Sequence, residues 1–444
     1  ILFLSIIARP VTAGLFDAWE RTAEIRFTGY SGTPARENLT NFPALVKIGE
    51  DLIPGFRYSD FESDGSGDGW NELRFTDGTR TNELPFEVET WDTGGTSYVW
   101  VAVNELTDAG TAVKSIWMYW GKSGETTAPA YTGNGDVWDD TFVAVWHLSE
   151  TDGTVYDSTK NGHNSTSVNV SDHTATGLAG GADGFNGAHY IDLPEISYAT
   201  PLTVSLFVKP TELYDYGDPF GQEKRMSFAS GAAGYMLFNI GDGDWGDGIV
   251  TANGVLSNGS WHHFAGTCSG TQLELFLDGM SKDTAANALT IGSTAMSIGR
   301  RRDNVNGYPF KGVIDEVRIE RAVRSADWIW AVHRNMLSNE TAFATYERAR
   351  PNRPFLDWAK KAELQFTGYD GSRETLTNFP ALVKLSEDLI PGFDYDDFLS
   401  SAEGDGWNEL RFTDGTETNV LPYEVEKWDV GGTSYVWVAV NELT

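Results

Sequence analysis

The chain has 444 residues, room for two to four domains at about 100–200 residues each. Lys and Arg total 32 against 64 Asp and Glu, and the formal charge of −32 excludes a phosphate-binding footprint, hence a nucleic-acid partner, and disfavours an anionic membrane surface. Aromatic residues make up 13%, enough for packed cores, while a lone cysteine, Cys268, excludes a disulfide framework, a zinc finger and an iron–sulfur cluster.

Residues 1–8 form a short apolar run, followed by the small-residue pattern Val11-Thr12-Ala13. This reads as the second half of a secretory signal peptide cleaved after Ala13, so residues 1–13 are expected to be a leader remnant and the protein to be exported. The alternative is a buried first strand. A bilayer span needs about 20 apolar residues, and no segment supplies them, so no membrane contact is expected within this stretch of sequence.

Residues 14–140 are expected to form a first β-sandwich module. Its alternating or β-branched runs are Glu24–Phe27, Ala44–Ile48, Leu73–Phe75, Phe86–Thr90, Tyr98–Val103 and Ile116–Tyr119, separated by turns such as Asp77-Gly78 and Gly94-Gly95. Most of this module recurs after residue 357. LTNFPALVKIGEDLIPGF (39–56) returns as LTNFPALVKLSEDLIPGF (376–393), and GDGWNELRFTDGT (67–79) returns unchanged at 404–416. Both copies contain WD-x-GGTSYVWVAVNELT, at Trp91–Thr107 and Trp428–Thr444. The second module, 358–444, lacks a counterpart of Ser115–Trp120 and is expected to be truncated. The pattern W-x(5)-I-x-F-T-G, NFPALVK, LRFTDGT, LPFEVE-x-WD, YVWVAV and IWMYWG resembles a bacterial family of domains of unknown function. That family occurs in exported multidomain proteins and at the N-termini of some MotA/TolQ/ExbB-type proton-channel proteins, and the resemblance brings no activity with it.

Residues 141–347 repeat strands with Gly, Asp and Asn turns, which suits a two-sheet sandwich. A hairpin is expected at 261–279, turning at Ser269-Gly270, and a helix at 326–336 with Ser325 as N-cap, Asp327 in its first turn and Arg334 near its end. The VWHL opening, Asp157-Ser158-x-x-Asn161-Gly162, FNGAHYI, WHHFAGT, LELFLDG and GVIDEVRI together resemble the concanavalin A-like, laminin-G-like jelly rolls. The resemblance implies a jelly roll whose relatives mostly bind carbohydrate or protein, some being glycoside hydrolases. The whole chain then reads as all-β: a central jelly roll, a linker at 348–357 rich in Arg and Pro, and a smaller antiparallel sandwich on either side.

In similar jelly rolls the Asp of the D-S-x-x-N-G loop and that of I-D-E-V-R-I lie close and hold a structural calcium. The resemblance thus implies calcium at Asp157 and Asp315, the alternative being that Asp157 caps a turn and Asp315 faces solvent. The acidic loops Asp64/Ser66/Asp68 and Asp242/Asp244/Asp247 read as solvated turns. A glycosidase needs two carboxylates flanking the scissile bond. Asp315 and Glu316 are neighbours on a strand and are expected to face opposite ways. Glu87 and Glu89 share a face, recur as Glu424 and Glu426, and read as a polar outer surface. His262 and His263 alternate on a strand and read as structural. Sugar recognition needs an aromatic platform with planar polar groups, and the candidates are Tyr214, Tyr216, Asp242, Asp244 and Trp245, with Asp218 nearby and Arg300–Asn304 on the rim. Trp146, Trp261 and Trp328 are assigned to cores. The leading expectation is an exported, non-catalytic protein that binds glycans or another surface ligand. Its rivals are an extracytoplasmic part of a proton-channel-type transporter and a glycoside hydrolase or its accessory binding region.

Overall fold

The computed structural model describes residues 2–6, 15–16, 18–61, 69–222, 225–242, 247–250, 253–286, 291–302, 308–352, 360–369, 373–398, 407, 410–415 and 420–443. They divide into two compact units, one of residues 23–349 and one of residues 1–22 with 350–444. Strand β1 (Leu2–Ile6) is part of the latter.

The first module is built from β2 (Arg21–Arg26), β3 (Leu39–Ile48), β4 (Arg74–Asp77), β5 (Phe86–Thr90), β6 (Ser97–Leu106) and β7 (Ser115–Trp120). All six expected strands overlap these. One sheet runs β3-β6-β5, and the other sets β7 between β2 and β4. Alternation along β6 sends Val99, Val101 and Val103 to one face and Trp100 to the other. Both faces are buried, because Val99, Val101, Val103 and Trp100 all lie within one core. The sequence reading of a solvated outer face is therefore corrected: a third layer covers it.

That layer comes from the middle domain. Its strands are β8 (Phe142–Trp146), β9 (Ser167–Asn169), β10 (Asp172–Thr176), β11 (Gly181–Asn186), β12 (Tyr190–Tyr198), β13 (Leu202–Pro210), β14 (Gly217–Gln222), β15 (Met226–Ser230), β16 (Met236–Ile240), β17 (Asp247–Val250), β18 (His262–Cys268), β19 (Gln272–Leu277), β20 (Met280–Ala286), β21 (Gly292–Ile298) and β22 (Lys311–Glu320). One sheet runs β10-β11-β22-β13-β18-β19-β20 with β8 also on β22, and the other runs β17-β16-β15-β14-β21-β12-β9. Phe220, Phe228, Phe238, Phe264 and Ile314 fill the space between them. The hairpin β18–β19 turns at Ser269-Gly270 as expected, with Gly270 at φ +92°. Helix α1 (Ala326–Leu337) follows, its N-cap Ser325 accepting from the Trp328 N–H at 3.1 Å.

Helix α1 does not pack into the jelly-roll core. Its buried residues Trp328, Ile329, Ala331, Val332 and Met336 join the core of the first module. Asn335 serves the edge strand β3: its amide accepts from Leu45 N–H at 2.6 Å and donates to Leu45 C=O at 3.1 Å, in the manner of a neighbouring strand. Asn339 adds a second donor to that carbonyl at 2.6 Å. The boundary expected at residue 140 thus separates two sheets systems but not two cores. Beyond α1, β23 (Thr345–Tyr346) pairs with Ile25–Arg26.

In the other unit, β24 (Arg350–Pro351) pairs with Arg21–Thr22, so part of the expected linker is in a ladder. The second module contains β25 (Lys360–Leu364), β26 (Leu376–Leu385), β27 (Leu410–Thr413), β28 (Val420–Leu421), β29 (Tyr423–Lys427) and β30 (Ser434–Leu443). Its β26-β30-β29 sheet repeats the register of β3-β6-β5, with Leu382 opposite Trp437 as Leu45 is opposite Trp100. Strand β1 stands between β25 and β27, the place that β7 holds between β2 and β4. The run read as the end of a leader supplies that strand.

Replacing Asn335 by Leu strands a buried N–H on β3. Urea unfolding of the Asn335→Leu chain should show a loss of about 1–3 kcal/mol for the transition of the unit containing residues 23–349. A midpoint unchanged from wild type would show that the amide bridge is dispensable.

Candidate functional site

Two features concentrate chemistry: a buried polar seam between the first module and the jelly roll, and a cleft on the outer face of the seven-stranded sheet.

The seam begins with a bulge. Between Ser205, paired with Arg318, and Phe207, paired with Asp315, β13 has one residue and β22 has two. Glu316 takes φ +53° to accommodate the extra residue. The expectation that Asp315 and Glu316 face opposite ways is thereby overturned: both are buried, and both lie close enough to Glu89 to raise its pKa. Glu316 bonds His147 Nδ1 at 2.5 Å through one oxygen and accepts from Arg318 at 2.7 Å through the other. The His147 ring stacks on Trp100, with centroids 5.8 Å apart, and the Arg318 guanidinium lies 4.4 Å from the Trp100 ring centre. Glu89 accepts from Trp100 Nε1 at 2.7 Å and sits 3.6 Å from His147 Nδ1. Glu87 accepts from Trp138 Nε1 at 2.8 Å and from Ser158 Oγ at 2.7 Å. In the first module the FEVE pair is thus the contact with the jelly roll, not an outer surface.

Burial opposes the charge on every group here, and the pairing decides which keep it. For His147, burial lowers the pKa but Glu316 and Glu89 outweigh it and hold the imidazole well above its ordinary value. For Glu316, burial raises the pKa but His147 and Arg318 bring it below the ordinary carboxylate range. Burial, with Glu316 adding to it, pushes Asp315 well up, and burial pushes Glu89 well up against the pull of His147. The seam thus sets the Glu316 carboxyl between the His147 ring and the Arg318 guanidinium, with two further carboxyls, Glu89 and Asp315, whose proton affinity burial raises. Among the described residues, Glu89, His147 and Glu316 are the group whose ligand atoms are close enough to share a metal ion. Their existing bonds to Arg318 and Trp100 favour the proton-sharing arrangement.

The expected calcium pair does not fit that ion. Asp157 Oδ1 accepts from Val145 N–H at 3.0 Å and Thr159 N–H at 2.9 Å, and Oδ2 accepts from Thr159 Oγ1 at 2.9 Å and His163 N–H at 2.7 Å. With both oxygens committed, Asp157 organises the turn that carries Ser158 to Glu87. Asp315 accepts from Leu178 N–H at 2.6 Å within the buried seam rather than facing solvent.

The cleft, of about 380 Å³, is lined by Tyr216, Asp218, Ser227, Ala229, Leu237, Asn239, Arg301 and Tyr308. Period-2 alternation explains the floor. Phe228 and Phe238 point into the sandwich, so Ser227, Ala229, Leu237 and Asn239 point out, and they pair across β15 and β16 as Ser227–Asn239 and Ala229–Leu237. Arg301 enters from one wall, 2.9 Å from Asp218, with its guanidinium 3.9 Å from the Tyr308 ring centre. Tyr216 stands edge-on to Tyr308 at 5.3 Å and is exposed. The buried Asn239 Nδ2 has no hydrogen-bond partner among the described residues.

Of the predicted ligand residues, Tyr216 lines this cleft. Tyr214 does not; it is half-buried near Lys311, whose Nζ is 5.4 Å from its ring centre. Asp242 is exposed beyond β16 and is not in the lining. Asp244 and Trp245, like the Asp64–Asp68 loop, Asp303 and Asn304, lie outside the described residues. Of the arginine run, Arg301 reaches the cleft, while Arg300 and Arg302 turn to Asp192 at 3.1 and 2.7 Å. Asn239, Ser227 and Tyr308 were missed, although FNI and MSFAS each carry the alternation that turns one polar residue outward.

Residues 185–330 match the family model described as the concanavalin A-like lectin/glucanases superfamily. The middle domain is concanavalin A-like. A model for a domain of unknown function, DUF2341, matches residues 69–149, from within the first module through His147. No curated protein matches the chain. Among solved structures, domain 4 of AbnA, a GH43 extracellular arabinanase from Geobacillus stearothermophilus in complex with arabinotriose, is 20% identical with a TM-score of 0.36, covering 44% of this chain and 98% of that one. The binding domain of botulinum neurotoxin serotype D is 13% identical with a TM-score of 0.36, covering 45% of this chain and 53% of that one. The chain thus spans about half the length of the toxin domain. The SAP-like pentraxin of Limulus polyphemus is 14% identical with a TM-score of 0.29, covering 38% and 92%.

His147→Ala removes one of the two cations serving buried Glu316, and the loss should be about 3–5 kcal/mol by chemical unfolding. The pH profile separates charge from packing. His147, raised in the folded state, contributes fully below its unfolded value of about 6.5, and the contribution is lost as pH rises through the folded value. Thermal unfolding of wild type should therefore weaken on the alkaline side, and His147→Gln should flatten that decline. A parallel decline in both proteins would assign it to other groups.

Proposed function

We propose that this protein is an exported, non-catalytic binding protein whose jelly-roll domain recognises carbohydrate in the cleft between Tyr216 and Arg301. The observation that supports this most is the composition of that cleft. It brings two tyrosine rings, a buried Asp218–Arg301 pair, a serine and an amide without a partner to one concave surface. A pyranose offers the complement: C–H faces for the rings and a ring of hydroxyls for the planar polar groups. Asp218 and Arg301 hold each other in place, so the donors and acceptors are set before the ligand arrives, which lowers the cost of ordering them. The two repeated modules serve as spacers or auxiliary binders, and the charge of −32 keeps an exported chain soluble.

Against the hydrolase alternative stand the surroundings of the carboxylates weighed for it: Asp315 and Glu316 are buried in the seam, Glu89 accepts from Trp100, and Glu87 accepts from Trp138 and Ser158. No helix among the described residues is long and apolar enough to cross a membrane.

The test is a glycan array probed with the full chain, in calcium and in chelator. Binding to a defined class of glycan is expected, with the same pattern in chelator, because Asp157 has no free oxygen for the ion. Tyr216→Ala and Asn239→Ala should each weaken the best hit, by about tenfold for the ring at roughly 1–1.5 kcal/mol. Tyr216 is exposed, so its removal should leave the thermal midpoint unchanged. No binding on the array, or binding indifferent to both substitutions, would sink this reading.

A further inference from the structure

The second module repeats the first almost residue for residue, yet one of its surfaces is bare. In the first module Phe42, Leu45 and Trp100 are 0%, 0% and 1% exposed. What covers them is the jelly roll, its helix and the segment that precedes β8. Trp328 packs edge-on to Phe42 at 5.2 Å, Asn335 bridges the Leu45 backbone, and His147, Trp138 and Arg318 enclose Trp100. Their counterparts Phe379, Leu382 and Trp437 are 36%, 40% and 39% exposed.

The polar part of the surface is repeated too. Lys47, which reaches Glu340 at 2.8 Å, becomes the exposed Lys384. Arg36, which bonds Asp327 at 2.5 Å, becomes the exposed Arg373. Glu87 and Glu89, which receive Ser158, Trp138 and His147, become Glu424 and Glu426. The internal order is already in place. Glu426 accepts from Trp437 Nε1 at 2.8 Å, as Glu89 does from Trp100, and Lys384 lies 5.9 Å from the Tyr435 ring centre, as Lys47 lies 5.8 Å from Tyr98. The one departure is Lys427 in place of Thr90.

We propose that this surface of the second module is a docking site for a further concanavalin A-like domain of the same make as residues 141–347. The occupant carries a buried His–Glu–Arg group to meet Glu426 and Trp437. It also carries a following amphipathic helix with an Asn to bridge the Leu382 backbone and acids to meet Lys384 and Arg373. Solvent-exposed aromatic and aliphatic side chains that a sister copy buries are an interface awaiting its partner, because the same residues in the same register hold the same complementarity.

Cys268 is the only cysteine and is buried, so Leu382→Cys places a single accessible thiol on the proposed surface. The test compares maleimide labelling of the Leu382→Cys chain with that of the same chain carrying a second copy of residues 108–349 after Thr444. At least tenfold slower labelling in the extended chain is expected, restored when the added copy bears the counterpart of Asn335→Arg. Unchanged labelling with the added jelly roll folded, shown by a second thermal transition, would overturn the proposal. Where the added copy does not fold, the Leu382→Cys chain is instead mixed with a full chain carrying Leu45→Arg and Trp100→Arg, whose jelly roll is freed from its own first module. Protection there supports the site and its absence overturns it. Concentration-dependent protection of the unextended chain by itself would also overturn it, by making a second copy of this surface the occupant.

Discussion

A carboxylate buried without compensation is among the costliest things a fold can contain, and the fully buried Glu316 is compensated by His147 and Arg318. One partner is local and one distant: Arg318 lies two residues on along β22, His147 follows β8, and the indole rings that enclose them belong to the first module and the segment after it. His147 and Arg318 satisfy Glu316 from within the middle domain, and the first module closes the group off from water with the Trp100 ring and the Glu89 carboxyl. The seam covers the outer face of the sheet β3-β6-β5, which therefore has no solvated face. The proton distribution follows from the same cost. Glu316 is held between His147 and Arg318, and burial shifts the two neighbouring acids, Glu89 and Asp315, toward their protonated forms.

Helix α1 solves a related problem along the β3 edge of the same sheet. An edge strand presents N–H and C=O groups that invite another strand. Asn335 and Asn339 occupy them at Leu45, so the edge is closed by side chains and by the apolar stripe of the helix. With the seam and the helix both spent on the first module, the jelly roll has its seven-stranded sheet left to face outward. That sheet carries the cleft of Tyr216, Asn239 and Arg301. The division of labour is physical: one sheet is consumed by architecture, and the other is available to a ligand.

Much of this was legible before any coordinates. Near-identical repeats and glycine-bounded alternating runs read as an all-β chain of sandwiches, and the resemblance carried by WHHFAGT and LELFLDG implied that the central one is a jelly roll. The cap of α1 was readable because Ser325 at an N-terminus and Asp327 in the first turn act locally. The site was less legible. Tyr216 could be named, but Asn239 and Ser227 sit on strands that also contribute Phe228 and Phe238 to the core, and only the sheet order brings their outward faces beneath Arg301. Asp157 and Asp315 each have an acidic side chain in a suggestive motif, yet one is consumed by its own turn and the other by a bulge that no spacing rule announces.

Sequence by itself determined the local periodicities, the turns, the helix cap and the repeat, because each depends on residues within a few positions of one another or on simple self-similarity. Tertiary structure alone decided that Glu89, His147 and Glu316 share one proton network and that Phe42, Leu45 and Trp100 are covered. It also decided that an arginine run splits between Asp192 and the cleft. The reason is that burial, and with it the sign of every charge interaction, is a property of which surfaces meet. The Phe and Leu of NFPALVK and the Trp of YVWVAV are core in one copy and exposed in the other, so no reading of those residues alone could assign their surroundings.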